Sequence, residues 1–126
     1  MSPSSPVTAD RTEVEFPASA GFRHVGMLVL GGVASRFELP LDRVDDLLLA
    51  VESVLLQETP ASTIRLEAKA APTGLRVVLG SFSAATLADP SLRRVLDRLV
   101  DEIVDRPGGD ETAIELFVAA AYRDGA

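Results

Sequence analysis

An α+β fold, a two-layer α/β sandwich with three helices on one face of a mostly antiparallel sheet, is what this sequence predicts. Three observations carry the prediction. Residues 63–69 alternate polar and apolar side chains, residues 71–74 (APTG) form a turn, and residues 75–79 follow as a more continuously apolar strand. That is an antiparallel hairpin near the sheet centre, which precludes a simple parallel alternation. Two segments, near residues 42–55 and 90–104, repeat apolar residues at helical spacing. The resulting order is strand, helix, helix, two strands, helix, strand.

Taken along the chain, residues 13–16 alternate and end at Pro17, as a short edge strand does. Ser19 is positioned to cap a helix running to about Phe37, with Phe22, Val25, Val29 and Val33 as its apolar stripe. Gly26, Gly31 and Gly32 weaken that helix, and close packing against another helix is the simplest reason to tolerate them. Asp42, after Pro40, caps the next helix, whose stripe is Val44, Leu47, Leu48, Val51, Val54 and Leu55. Pro60 ends it. After Gly80, residues 81–88 read as a small-residue loop, and Asp89 with Pro90 supplies an N-cap and first-turn proline. The third helix carries Leu92, Leu96, Leu99, Val100, Ile103 and Val104, also Val95, on its apolar side, with Arg93–Asp97 and Arg98–Glu102 pairs facing solvent. Residues 106–110 (RPGGD) break it, and residues 112–122 form the last strand.

Composition sets the limits on function. A chain of 126 residues with 47% apolar and 25% charged residues is globular and fits one domain. The expected division is a tail at 1–12, a domain at 13–122 and a tail at 123–126. No apolar run approaches the roughly 20 residues that span a bilayer, and the N-terminus lacks signal-peptide character, so the expected compartment is the cytoplasm, with no membrane partner. Zero cysteines exclude disulfides and thiol catalysis, and a single histidine, His24, makes a zinc site implausible and has no Ser or Asp at triad spacing. A net charge of −7 argues against nucleic acid, whose phosphates need clustered Lys and Arg, and favours basic partners.

The segment LDRVDDLLLAVESVLLQ, residues 41–57, is the most informative. Its Asp46, Leu47, Leu49, Ala50 and Val51 match the acidic-Leu-spacer-Leu-Ala-Val pattern of one helix in the GHKL, or histidine-kinase-like, ATPases. With the element order across residues 14–121, the chain resembles the compact Bergerat-type domain of bacterial anti-sigma regulatory factors with serine-kinase activity. The run LVDEIVD at 99–105 is similar to a Leu-Val-Asp run in the helix after that family's nucleotide loop.

The resemblance implies a Glu that positions the attacking hydroxyl or water and, four residues on, an Asn that ligates magnesium. Here the register puts Ser53 at the Glu position and Gln57 at the Asn position; counted from Glu52 instead, the Asn position falls on Leu56. Neither gives the complete pair. The acid that reads the adenine amino group is also missing: residues 77–83 (VVLGSFS) offer Gly80 but no carboxylate, and the lid shrinks to residues 81–88. Glu52 therefore stands as a catalytic candidate against the plain reading of a solvated helix residue. Ser53, Gln57 and Gly80 stand as cofactor-binding candidates against a relic site and an ordinary turn. Leu49 and Leu56, seven residues apart and off the core stripe, are either covered by residues 81–88, filling the nucleotide space, or form a contact patch for a partner. Gly108 and Gly109 read as a helix stop, and the acids Asp42, Asp45, Asp46, Asp97, Asp101, Glu102 and Asp105 as an acidic surface spread over two helices.

The resulting expectation is an anti-sigma-factor-like transcription regulator that works by protein binding, leans away from enzymatic activity and needs no cofactor or metal. Its partners would be a sigma factor or an anti-anti-sigma protein, with a homodimer as a further possibility. The alternative is an ATP- and magnesium-dependent kinase that phosphorylates a serine of an anti-anti-sigma antagonist.

Overall fold

The computed structural model describes residues 11–37 and 39–120. Five strands form one antiparallel sheet in the order β1-β2-β3-β5-β4. They are β1 (Arg11–Pro17), β2 (Thr63–Ala71), β3 (Gly74–Phe82), β4 (Glu102–Gly108) and β5 (Glu111–Ala119). Helices α1 (Arg23–Arg36), α2 (Leu41–Leu55), the single turn α3 (Ala84–Leu87) and α4 (Pro90–Leu99) complete the described chain. The architecture is the expected α+β sandwich, with α1, α2 and α4 packed over one sheet face. The core lies between layers. Ile64, Leu66, Leu75, Val77, Leu79, Ile114, Leu116 and Val118 point inward at alternate strand positions and meet Leu30, Leu47, Val51, Val54, Leu92 and Leu96.

β1 takes the expected edge position but starts at Arg11, which pairs with Lys69, so residues 11 and 12 belong to the sheet. The central hairpin is in place and longer than expected: Arg65 through Ala71 pair with Gly80 through Gly74. Residues 1–10 and 121–126 lie outside the described residues, and with them the end of the last expected strand at Tyr122.

The helices correct several expectations. A 3₁₀ turn, Ala20–Phe22, precedes α1; the Ser19 carbonyl accepts from Phe22 N at 3.0 Å, and no side chain caps α1. The buried side of α1 is Gly26, Leu30, Val33 and Ala34, while Phe22 is exposed and Val25 and Val29 are half-buried. An apolar helix on all sides leaves periodicity nothing to discriminate. Contact with β1 fixes the rotation instead: a Cβ on Gly26 would lie 2.8 Å from two carbons of the Phe16 ring. Gly26 thus admits a strand residue rather than a helix, and Gly31 and Gly32 have open space where a Cβ would be. In α2 the cap is Pro40, and Asp42 lies in the first turn.

The largest correction concerns residues 100–110. α4 begins as expected, with Asp89 accepting from Leu92 N at 3.0 Å and Pro90 in the first turn, but it stops at Leu99. Val100 is extended (φ −123°, ψ 163°), Asp101 N donates to Phe117 O at 2.8 Å, and Glu102–Gly108 then pairs along β5. Ile103 and Val104 are strand residues, RPGGD is the end of a strand and a hairpin, and Gly109 takes φ +74° in a two-residue turn. A primed hairpin turn needs that conformation, which glycine adopts without steric cost. Pro107, on an edge strand, has no donor to lose. The Arg98–Glu102 and Arg93–Asp97 helix pairs are replaced: Glu102 meets Arg76, and Arg93 meets Asp105 at 2.5 Å. The LVDEIVD run is therefore helix end and strand.

Candidate functional site

α2 is the middle helix of the layer, packed between α1 and α4. Arg43, Leu47, Ala50, Val51, Val54 and Leu55 face the core. At 100° per residue, Leu41, Asp45, Leu49, Glu52 and Leu56 fall together on the opposite side, while Leu48 is half-buried and packs against the core. Leu41, Leu49 and Leu56 are 77%, 52% and 57% exposed. Burying such a side chain stabilises a complex by about 1.5–3 kcal/mol, so three in one row are an exception to be explained. Leu49 and Leu56 are thus not covered. Of the two arrangements expected from sequence, covering by residues 81–88 is not what the structure has.

The segment expected to cover them does something else. Ser81 and Phe82 complete β3, and Ser83 caps α3, accepting from Thr86 N at 3.1 Å. Phe82 and Leu87 are buried in the core, and Arg93 Nε donates to Leu87 O at 2.7 Å. Residues 81–88 are therefore a capped turn anchored in the interior. Gly80 is a paired strand residue opposite Arg65; a Cβ there would lie 3.1 Å from the Cβ of Ala113, so its side faces a neighbouring strand.

The candidate chemical residues do not converge. The Ser53 hydroxyl donates to Leu49 O at 2.8 Å, one turn back along its own helix. Gln57 Nε2 donates to Ser53 O at 3.1 Å. Both side chains serve the local backbone, a common use of short polar groups in helices. Glu52 is exposed on the outward row beside Leu49 and Leu56. These residues do not form the acid–amide pair that would hold magnesium and orient a hydroxyl, and among the described residues no group of three or more His, Asp or Glu is placed to hold a metal ion. His24 is exposed near the start of α1.

Two charged side chains that sequence reasoning passed over organise the framework. Arg43 is buried on the core side of α2, its side chain 7% exposed. Nη1 meets Asp46 at 2.9 Å and Nη2 meets Asp101 at 2.6 Å, while Asp101 also accepts from Ala119 N at 2.8 Å. This ties α2 to the α4–β4 junction and to the end of β5. The signal was available, since Arg43 precedes Leu47, Ala50 and Val54 at core spacing. Two of the expected surface acids, Asp46 and Asp101, are its partners. Glu102 and Asp105 lie on β4, so the acidic character of the helix layer concentrates on α2.

The second is Glu115, at the centre of the open sheet face and 7% exposed. Arg76 Nη1 stands 2.9 Å from one carboxylate oxygen and Arg106 Nη2 2.6 Å from the other. Burial alone pushes this carboxyl upward, but hydrogen bonds and charge from Arg106 and Arg76 prevail and hold it below the ordinary value of 4.5. Arg76 also stacks 4.6 Å from the centre of the Phe117 ring. Strand alternation places residue 115 outward, and nothing in the sequence signals that two arginines fold over it.

No described helix is long and apolar enough to cross a membrane. Comparison with models of known protein families and with curated protein sequences finds no match to this chain.

Proposed function

We propose that this protein is a regulatory binding module of the anti-sigma-factor type, acting through the outward row of α2 and without phosphotransfer. The single observation that supports this reading most strongly is the row itself: Leu41, Leu49 and Leu56 exposed and interleaved with Asp45 and Glu52. Apolar anchors within an acidic stripe suit a partner helix that is apolar on one side and basic at its flanks, the helix-in-groove and charge-steered modes combined. The local bonding of Ser53 and Gln57 favours the same reading, because the residues at the family's catalytic positions are engaged with their own helix. A sigma factor or an anti-anti-sigma protein is the partner class.

The test is binding of the purified chain to purified sigma factors and anti-anti-sigma proteins of its own organism. Leu49→Ala with Leu56→Ala is expected to weaken the productive pair at least roughly tenfold, as loss of two interface anchors should. Circular dichroism should be unchanged, because both residues are exposed. One-site micromolar binding of ATP with magnesium, or phosphate transfer from labelled ATP that Glu52→Ala abolishes, would overturn the proposal in favour of the kinase.

A further inference from the structure

On the helix side of the sheet, a cavity of about 210 Å³ opens between α3, the start of α4 and the β4–β5 hairpin. Its accessible walls are apolar: Ala84 and Ala88 from the α3 turn and Pro107 from β4, all three exposed, with Leu87 behind them. The volume is too small for a drug-sized ligand and suits a single ring, since an apolar cavity of about 150 Å³ takes up benzene.

Thr112 lines this cavity from β5, opposite Pro107, and is only 8% exposed. The inward positions that follow on the same strand, 114, 116 and 118, are Ile, Leu and Val, all buried. Valine has the shape of threonine and lacks only the hydroxyl, so the core alone gives no reason for threonine at 112. Among the described residues that hydroxyl has no hydrogen-bond partner. Buried polar groups are nearly always paired, and an orphaned one beside a cavity marks where a ligand atom can complete the bond. Arg93 forms a further wall, its Nε donating to Leu87 O at 2.7 Å and its Nη2 to Asp105 at 2.5 Å. Two bonds from different atoms hold the guanidinium plane in place, and a planar cation is a favourable neighbour for an aromatic ring. Asp105 is engaged by the same contact, so the pair calls for no charge on the ligand.

We propose that this cavity binds a phenol ring, carried by a free small molecule or by a tyrosine side chain of another protein. The ring lies among Ala84, Ala88 and Pro107 and beside the Arg93 guanidinium. Its hydroxyl bonds that of Thr112, which can donate or accept. A hydrocarbon ring would leave Thr112 unpaired, and a saturated alcohol would forgo the contact with Arg93. A charged ligand would have to compete with the Arg93–Asp105 pair. The site does not rest on the function proposed above, because none of its residues belongs to the outward row of α2.

The experiment is a titration of the isotopically labelled full chain with phenol, benzene and cyclohexanol, followed by amide and methyl resonances. Saturable shifts at Ala84, Ala88 and Thr112 are expected with phenol, and about fivefold weaker binding with benzene and with cyclohexanol. Thr112→Val should remove the preference for phenol over benzene. It should leave the ligand-free chain at least as stable in a thermal melt, since no bond within the fold is lost. Ala88→Leu, at an exposed position, should fill the cavity and abolish the shifts. N-acetyl-L-tyrosine amide separates the two sources: affinity comparable to that of phenol assigns the site to a tyrosine side chain, and no binding assigns it to a free phenol. The proposal is overturned by the absence of saturable shifts with phenol, by equal affinity for benzene or cyclohexanol, or by a preference that survives Thr112→Val. Shifts that persist in Ala88→Leu would place the ligand elsewhere, and a lower melting point for Thr112→Val would show that the fold itself uses the hydroxyl; either result also overturns it.

Discussion

Replacing Glu115 by Gln isolates one buried charge and gives it a pH signature. The carboxylate is 7% exposed, while its partners Arg76 and Arg106 are 36% and 59% exposed. A hydrogen bond to a charged group contributes about 1.5–3 kcal/mol when well sheltered, and an exposed ion pair about 0.2–1 kcal/mol. With one sheltered partner and two that water can reach, the pair of contacts falls between these limits. Gln keeps one acceptor, so the expected loss at about pH 7 is about 1–3 kcal/mol, read by urea unfolding under circular dichroism. The sign with pH follows from the direction of the shift. The folded carboxyl titrates below 4.5, so on acidification the unfolded chain takes up its proton first. The stabilisation is complete above the unfolded value and disappears as pH falls through the folded one. The difference between wild type and Glu115→Gln should therefore stay constant from about pH 7 to 5 and narrow below 4.5. A difference that kept its full size to about pH 3, or no difference at about pH 7, would refute the reasoning.

Gly26→Ala should cost about 1–3 kcal/mol, because the new Cβ meets the Phe16 ring at 2.8 Å and neither the helix nor the edge strand yields freely. Gly31→Ala and Gly32→Ala, with open space at both positions, should each raise stability by about 0.5–1 kcal/mol; thermal melts of the three variants separate the two outcomes, and destabilisation at Gly31 or Gly32 would contradict them. Arg43→Ala should cost about 3–5 kcal/mol in urea unfolding, since Asp46 and Asp101 lose a buried partner, and a loss under about 1 kcal/mol would show that water takes the role of the guanidinium. Gly109→Ala forces a Cβ into φ +74° and should cost about 1–2 kcal/mol, whereas a turn that simply relaxes to negative φ would show almost none.

What the sequence made legible depended on how many constraints spoke at once. The β2–β3 hairpin and α2 were each marked twice, by periodicity and by turn or proline boundaries, and both stand where they were expected. β4 was hidden because Leu99, Val100, Ile103 and Val104 continue the apolar spacing of α4. The counter-signal was local: a Gly-Asp pair at 109–110 between two β-rich runs is a hairpin mark, and it was outweighed by a periodicity that two different structures can produce. The rotation of α1 had no periodic signal, since apolar residues surround the helix; only the Phe16 contact selects it. At the candidate site, sequence picked out Leu49 and Leu56 but left their environment open. That environment depends on Phe82 and Leu87 turning inward, a tertiary choice that residues 81–88 do not announce.

The inward turn of Phe82 and Leu87 also accounts for the different fates of the two sides of α2. A segment that spends its bulky residues on the core has only small or short polar side chains left, at Ser81, Ser83, Ala84, Ala85 and Thr86, and these cannot reach across to blanket Leu49 or Leu56. The inner side of α2 is meanwhile fixed by Leu47, Val51 and Val54 and locked by the Arg43 contacts to Asp46 and Asp101. The helix therefore cannot rotate to hide its outer leucines without exposing Leu47, Val51 and Val54 in their place and breaking a buried ion cluster besides. The exposed row is thus held in place by the core on the opposite side of the same helix.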